Sequence, residues 1–231
     1  MYSPTYAELK ASLQKELDLE DETFITSAEF LYYFNEAVDM IESAVHNIYE
    51  DYFLVSANIS LVSGTSTYSL PTDIFAQKIR AILYNDGGSN MYDIKRLKKL
   101  SDINFIRDNN LYRYIITNDA TAGLKLNFFP TPNVTSSTNV TIWYLRNAKK
   151  FASDSDVCDI PEFTAVIIAY VRWKCMQKEG HPDTNSAQIT LQGLRQEMVD
   201  TLTARVPDED NEIVQDLSFY NEFDSLIGGN Y

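Results

Sequence analysis

The chain has 231 residues and carries 33 acidic against 19 basic side chains, a formal charge of −14. That balance disfavours tight nucleic-acid binding, which needs a basic face, and no apolar run approaches the roughly 18 residues of a membrane span. The N-terminus lacks the basic-then-apolar pattern of a signal peptide, so a soluble protein made and used without secretion is expected.

Thr5-Tyr6-Ala7-Glu8 is a capping box that opens a first helix. Tyr6, Leu9, Leu13 and Leu17 form its apolar face, and Asp18, Glu20 and Asp21 end it, because acids are unfavourable at the negative end of a helix dipole. A second capping box, Thr26-Ser27-Ala28-Glu29, opens a helix running to about Tyr52. Along it Leu31, Phe34, Val38, Ile41, Val45, Ile48 and Tyr52 recur in alternating threes and fours and form one seam. From Leu54 the period changes to two: Val55, Ala57, Ile59 and Leu61 alternate with Ser56, Asn58 and Ser60. A turn at Ser63-Gly64-Thr65 leads to a short strand over 67–70, stopped by Pro71. Further strands are predicted over 77–84, 92–94, 111–117, 124–129 and 139–145, with a short helix from Leu100 or Ser101 to Ile106. Six or seven strands of this kind suit an antiparallel sheet or a small sandwich.

Helical spacing returns at Pro161, which fits a first helical turn capped by Asp159 or Ile160. Phe163, Val166, Ile167, Tyr170, Val171 and Trp173 mark its inward face, and Gly180-His181-Pro182 ends it. A last helix starts at Asp183, shows Ala187, Leu191, Leu194, Met198 and Leu202, and stops by Pro207. The class is therefore α+β: an antiparallel bundle of about four helices drawn from both chain ends, with an inserted antiparallel β lobe and an extended C-terminal tail. The expected division is 1–53 and 159–206 for the bundle, 54–158 for the lobe and 207–231 for an acidic extension. The seam on the second helix is expected to be buried against Val166, Tyr170, Leu191, Leu194 and Met198.

No catalytic, cofactor or metal site stands out. His46 and His181 are the only histidines, and neither has a second ligand at helical spacing. P-loop, G-x-G-x-x-G and G-x-S-x-G patterns are lacking. Asp154 with Asp156, and Asp208 with Asp210, read as solvated loop charge. Cys158 and Cys175 form neither a CxxC motif nor a disulfide framework and read as small buried or half-buried thiols. The chain is thus expected to be no enzyme and to need no cofactor.

Two surface features remain. Lys95, Arg96, Lys98 and Lys99, with Arg107 and Arg113 nearby, concentrate base in the β segment. They read either as a contact for an acidic partner or DNA, or as a solvated connector. From Pro207 to Tyr231 there are seven acids and no lysine or arginine, yet Ile213, Val214, Leu217, Phe219, Tyr220 and Phe223 recur among them. That pattern suits a segment that orders on binding, docking its apolar side into a groove on a neighbouring subunit, in preference to the simple disorder that such an acidic stretch otherwise suggests. Fifteen tyrosines fit either interface use or the codon bias of an AT-rich genome.

Several motifs, taken in order, resemble the head-to-tail adaptor (connector) family of short-tailed bacteriophages. They are Thr5-Tyr6-Ala7-Glu8-Leu9, Tyr68-Ser69-Leu70-Pro71-Thr72-Asp73, Phe129-Pro130-Thr131-Pro132, the strand Val140-Thr141-Ile142-Trp143-Tyr144-Leu145-Arg146, and Ile160-Pro161-Glu162. The resemblance spans about residues 4–205, and the acidic extension is longer than the family pattern. It implies a homo-oligomeric ring of about twelve copies at the portal vertex of the virion, assembled in the host cytoplasm. Such a ring joins the portal protein to tail or nozzle proteins and continues a channel through which genomic DNA passes without specific binding. A C-terminal extension in such proteins commonly climbs onto the portal, which makes Ile213, Val214, Leu217, Phe219, Tyr220 and Phe223 portal-docking candidates. The competing readings are a receptor-binding or tail-fibre attachment module and a tail-associated peptidoglycan hydrolase. The hydrolase would need two carboxylates of separated pKa across a cleft, which no spacing marks.

Overall fold

The computed structural model describes residues 2–18, 24–85, 87, 90–105, 112–121 and 123–205. Within them the class is α+β, with four α-helices and two four-stranded sheets. The helices are α1 (Tyr6–Glu16), α2 (Ser27–Ile48), α3 (Thr164–Glu179) and α4 (Thr184–Thr203). Both predicted capping boxes form: Thr5 Oγ1 accepts from the Glu8 N–H at 3.3 Å, and Thr26 Oγ1 from that of Glu29 at 3.2 Å. Each glutamate reaches back to its cap, Glu8 to the Thr5 N–H and Glu29 to the Thr26 N–H.

The seam behaves as its spacing requires. Phe34, Val38, Ile41 and Val45 are fully buried, while Leu31, Ile48 and Tyr52 are partly buried at its margins. Phe30 and Ala37 widen the buried face beyond the two-per-heptad seam, as expected where one helix meets several neighbours. The seam shares one apolar cluster with Leu9 and Leu13 of α1, with Val166, Ile167, Tyr170 and Val171 of α3, and with Leu191, Met198 and Leu202 of α4. Leu194 packs at its edge. Helix α2 stops at Ile48, short of Tyr52; Tyr49 leaves helical geometry, and a turn of 3₁₀ helix over Glu50–Phe53 brings Tyr52 and Phe53 back onto the cluster. Gly180, in the left-handed region at φ 71°, ends α3, and the His181 N–H bonds to the Met176 carbonyl.

The strands are β1 (Leu54–Leu61), β2 (Thr67–Ser69), β3 (Ile74–Asn85), β4 (Met91–Asp93), β5 (Lys95–Arg96), β6 (Arg113–Asp119), β7 (Gly123–Phe129) and β8 (Ser136–Arg146). One sheet has the order β1-β8-β3-β4 and the other β2-β7-β6-β5. Their inner faces share a second apolar cluster, with Ile59, Leu61, Ile82, Val140 and Ile142 from the first sheet and Tyr114, Leu126 and Phe128 from the second.

Four expectations are corrected. The described strands number eight, and they are not all antiparallel: β5 pairs parallel to β6, with Lys95 opposite Arg113 and Arg96 opposite Tyr114. This strand is only two residues long and fully exposed, so no alternation could reveal it. Strand β3 begins at Ile74, ahead of Gln77; Ala76 and Gln77 take positive φ of 45° and 59° and break the register with β8, which disguised the start. The 100–106 helix is a 3₁₀ segment over Leu100–Phe105. Finally, Asp159 does not cap the turn that opens at Pro161; Ile160, the other residue expected there, is its N-cap, and Asp183 is the N-cap of α4 as expected, without a side-chain hydrogen bond.

Candidate functional site: the strand–helix junction and the charged surfaces

Asp159 has other partners. Its carboxylate takes two parallel hydrogen bonds from the Arg146 guanidinium, at 2.6 and 2.9 Å, and a third from the Lys149 N–H at 2.9 Å. Arg146 is the last residue of β8, and its guanidinium lies over the Phe53 ring, 5.2 Å from the centroid. Phe53 belongs to the helical cluster, so this residue ties the end of the central strand to the helices. Two residues earlier the Tyr144 hydroxyl donates to Asp73 Oδ1 at 3.0 Å, and the Asn147 N–H bonds to the Asp73 carbonyl. The motifs over 68–73 and 140–146 thus meet at one junction.

The segment after β8 continues onto the helices. Ala148, Phe151 and Cys158 lie in the helical cluster. Asn35 clasps Phe151, its amide nitrogen donating to the Phe151 carbonyl and its oxygen accepting from the Phe151 N–H, each at 2.9 Å. Asp156 is no idle loop charge: it accepts from the N–H groups of Ala152 and Ser153 and from the Ser153 hydroxyl, and these bonds hold its carboxyl below the usual carboxylate range. The Asp154 and Asp156 carbonyls in turn receive the N–H groups of Ala7 and Tyr6, fastening the start of α1.

Glu42 escaped the sequence reading. It lies beside Ile41 on α2, is buried, and accepts from the Ala148 N–H at 2.9 Å. His46, one turn on, is buried with its ring stacked on Phe75 at 3.7 Å and Nε2 3.6 Å from Glu42 Oε1. The only available signal was their i,i+4 spacing on the flank of the seam. Burial pushes the Glu42 carboxyl above its ordinary pKa, against the Ala148 hydrogen bond. A carboxyl raised in the folded state contributes stability that is present below its unfolded pKa and lost as pH rises through the folded one. Glu42→Gln, which keeps an acceptor for Ala148, is therefore expected to gain stability relative to the parent as pH rises from about 4 to about 7. Urea midpoints across that range check this; a difference independent of pH would exclude it.

Cys158 and Cys175 are buried free thiols, as read from the sequence, and burial raises both pKa values, that of Cys175 to about 12. Among the described residues no group of three His, Cys, Asp or Glu side chains could hold a metal ion, and no helix is long and apolar enough to cross a membrane. His181 lies in the turn between α3 and α4.

Charge is segregated along the chain. Residues 54–146 hold ten Lys and Arg against six Asp and Glu, whereas the rest holds nine against twenty-seven. Among the described residues, seven cations outside the β5 region form ion pairs: Arg80 with Asp51, Arg146 with Asp159, Lys150 with Asp39, Arg172 with Glu16, Lys174 with Glu36, Lys178 with Glu29 and Arg205 with Glu162. The Lys178 ammonium, with the Thr26 cap, pulls Glu29 down to about 2. By contrast, Lys95 and Arg96 on β5 and Lys98 and Lys99 just after it are exposed, and none makes an ion pair among the described residues. Arg113 lies beside Lys95 across the β5–β6 pairing, partly buried, with its guanidinium on the Tyr112 carbonyl. Arg107 and the candidate docking residues Ile213, Val214, Leu217, Phe219, Tyr220 and Phe223 lie outside the described residues.

Two apolar cores, a hydrogen-bonded junction between them and a polarised surface describe a structural interaction protein. The chain belongs to the SU10 adaptor protein family, whose model matches residues 4–215. It is accordingly a phage structural adaptor protein, a virion component that contacts other head and tail proteins. A search of curated proteins finds no match.

Proposed function

We propose that this adaptor is a head-to-tail adaptor of a short-tailed phage, forming a ring of about twelve copies between the portal and the tail or nozzle. The helical residues 1–53 and 159–206 act as an antiparallel bundle that forms the ring wall, and 54–158 acts as a β lobe inserted into it. The observation that carries this reading is the shared apolar cluster of α1, α2, α3 and α4, distinct from the cluster between the two sheets. Such a scaffold holds surfaces in fixed relation, which is what a repeated building block requires. A chain with a formal charge of −14 also suits a channel wall, because DNA slides past an acidic surface without sticking. In this role no bond is made or broken, and no cofactor is used.

The acidic extension 207–231 docks on a protein neighbour in the assembly, with Ile213, Val214, Leu217, Phe219, Tyr220 and Phe223 as its apolar contacts. Truncation after Val206 is expected to weaken binding to portal rings by at least about tenfold, because copies that lose the extension lose either its direct contact or the avidity of a closed ring, with the far-UV circular dichroism of the helices retained. Co-sedimentation with portal rings measures this. Unchanged binding by the truncated chain would contradict the docking role.

A further inference from the structure

The basic segment, which makes no ion pair among the described residues, and the acidic extension point to each other. Within 91–100 the side chains of Lys95, Arg96, Lys98 and Lys99 are exposed together with Met91 and Leu100, which are 61% and 69% accessible; Asp93 is the one acid between them. Among the described residues, strand β5 sits at the edge of its sheet and pairs on one side only, with β6. An edge strand offers free main-chain groups to an extended peptide. Four cations mixed with exposed apolar side chains suit an acidic peptide that also carries apolar residues, whereas a phosphate backbone has no use for Met91 and Leu100.

The chain itself has such a peptide. Residues 206–231 contain seven acids, no lysine or arginine, and large apolar residues throughout. They follow Arg205, which is bound to Glu162 on the helical side, and when extended could reach on the order of 80 Å. We propose that residues 206–231 of one copy dock along the basic edge at Lys95–Lys99 of the adjacent copy. This deepens the ring reading and rests on it. Copies that each carry −14 repel one another, and a ring closes most readily where the acidic part of one subunit meets the basic part of the next. Docking within one chain would leave that repulsion in place. The contact is heterologous, donor segment to acceptor edge, which is the kind that generates rings.

The test uses the full chain with a benzophenone amino acid in place of Phe219, mixed as equal parts of light and heavy isotope-labelled protein. Irradiation is expected to give mixed-isotope crosslinks from position 219 into 91–100, with the yield falling about tenfold at 1 M salt. The charge-reversed K95E/R96E/K98E/K99E chain is expected to lose them while keeping its circular dichroism. The conservative K95R/R96K/K98R/K99R chain is expected to retain them. Crosslinks only within one chain, crosslinks elsewhere, none at all, or crosslinks that survive charge reversal would overturn the proposal. So would retention of duplex DNA by the parent chain that charge reversal abolishes, since it would assign the cluster to phosphate. The chain's place in the virion is measured separately. Absence from the head–tail junction with the crosslinks intact would refute the adaptor reading alone, and presence there without crosslinks would refute this contact alone.

Discussion

Replacing Phe34 with alanine is expected to destabilise the chain by about 3–5 kcal/mol, the range for deleting a fully buried aromatic side chain. Phe34 is inaccessible to solvent and meets Tyr6 of α1 edge-on at 5.3 Å and Phe151, from the segment after β8, at 6.1 Å. Three stretches far apart in sequence converge on this ring, so the cavity cannot be closed by moving one neighbour. Tyr32, two residues away and 63% exposed, is the internal control; its alanine variant is expected within about 0.5 kcal/mol of the parent. Urea denaturation of both variants checks the contrast, and equal effects would show that α2 does not bury the face assigned to it.

Asp159→Ala is expected to be nearly as severe, about 3–5 kcal/mol, because it strands the Arg146 guanidinium in a largely dry site. The two side chains are only 18% and 13% exposed, and the Lys149 N–H loses its acceptor in the same step. The pair of Arg172 with Glu16 is the same chemistry at about 40% exposure, and its removal is expected to cost no more than about 1 kcal/mol. Because Arg146 joins β8 to the helical cluster through Phe53, the loss is also expected to loosen the two cores from each other. Hydrogen exchange should then rise around 146–151 before it rises in the interior of α2. Destabilisation no greater than that of Arg172→Ala would mean that the junction is a surface ion pair.

The sequence revealed the helices well because their determinants are local. Two capping boxes and an unbroken three-four spacing need no knowledge of what lies across the core, and Thr5, Thr26, Phe34 and Ile41 took the roles their positions implied. Strand β1 was equally legible from its alternation, with Ile59 and Leu61 buried. What escaped depended on partners distant in sequence. Asp159 looked like a helix cap because its neighbours are a proline and an apolar run, but a bidentate arginine thirteen residues earlier is the stronger partner. Strand β5 carries only charge and exists through its pairing with β6, which no periodicity records. Nothing in the sequence marked Glu42, because its role depends on the Ala148 N–H, 106 residues away. The basic cluster was visible as composition; that Lys95, Arg96, Lys98 and Lys99 make no ion pair among the described residues, while seven other cations do, required the fold.

The most direct test of the adaptor reading is a cryo-electron microscopy map of the virion that produces this chain, reconstructed at the portal vertex. The account predicts a closed ring of this subunit between portal and tail, with its four helices in the wall. A map in which that ring is built from another protein, with this chain found on the fibres or elsewhere in the particle, would contradict it.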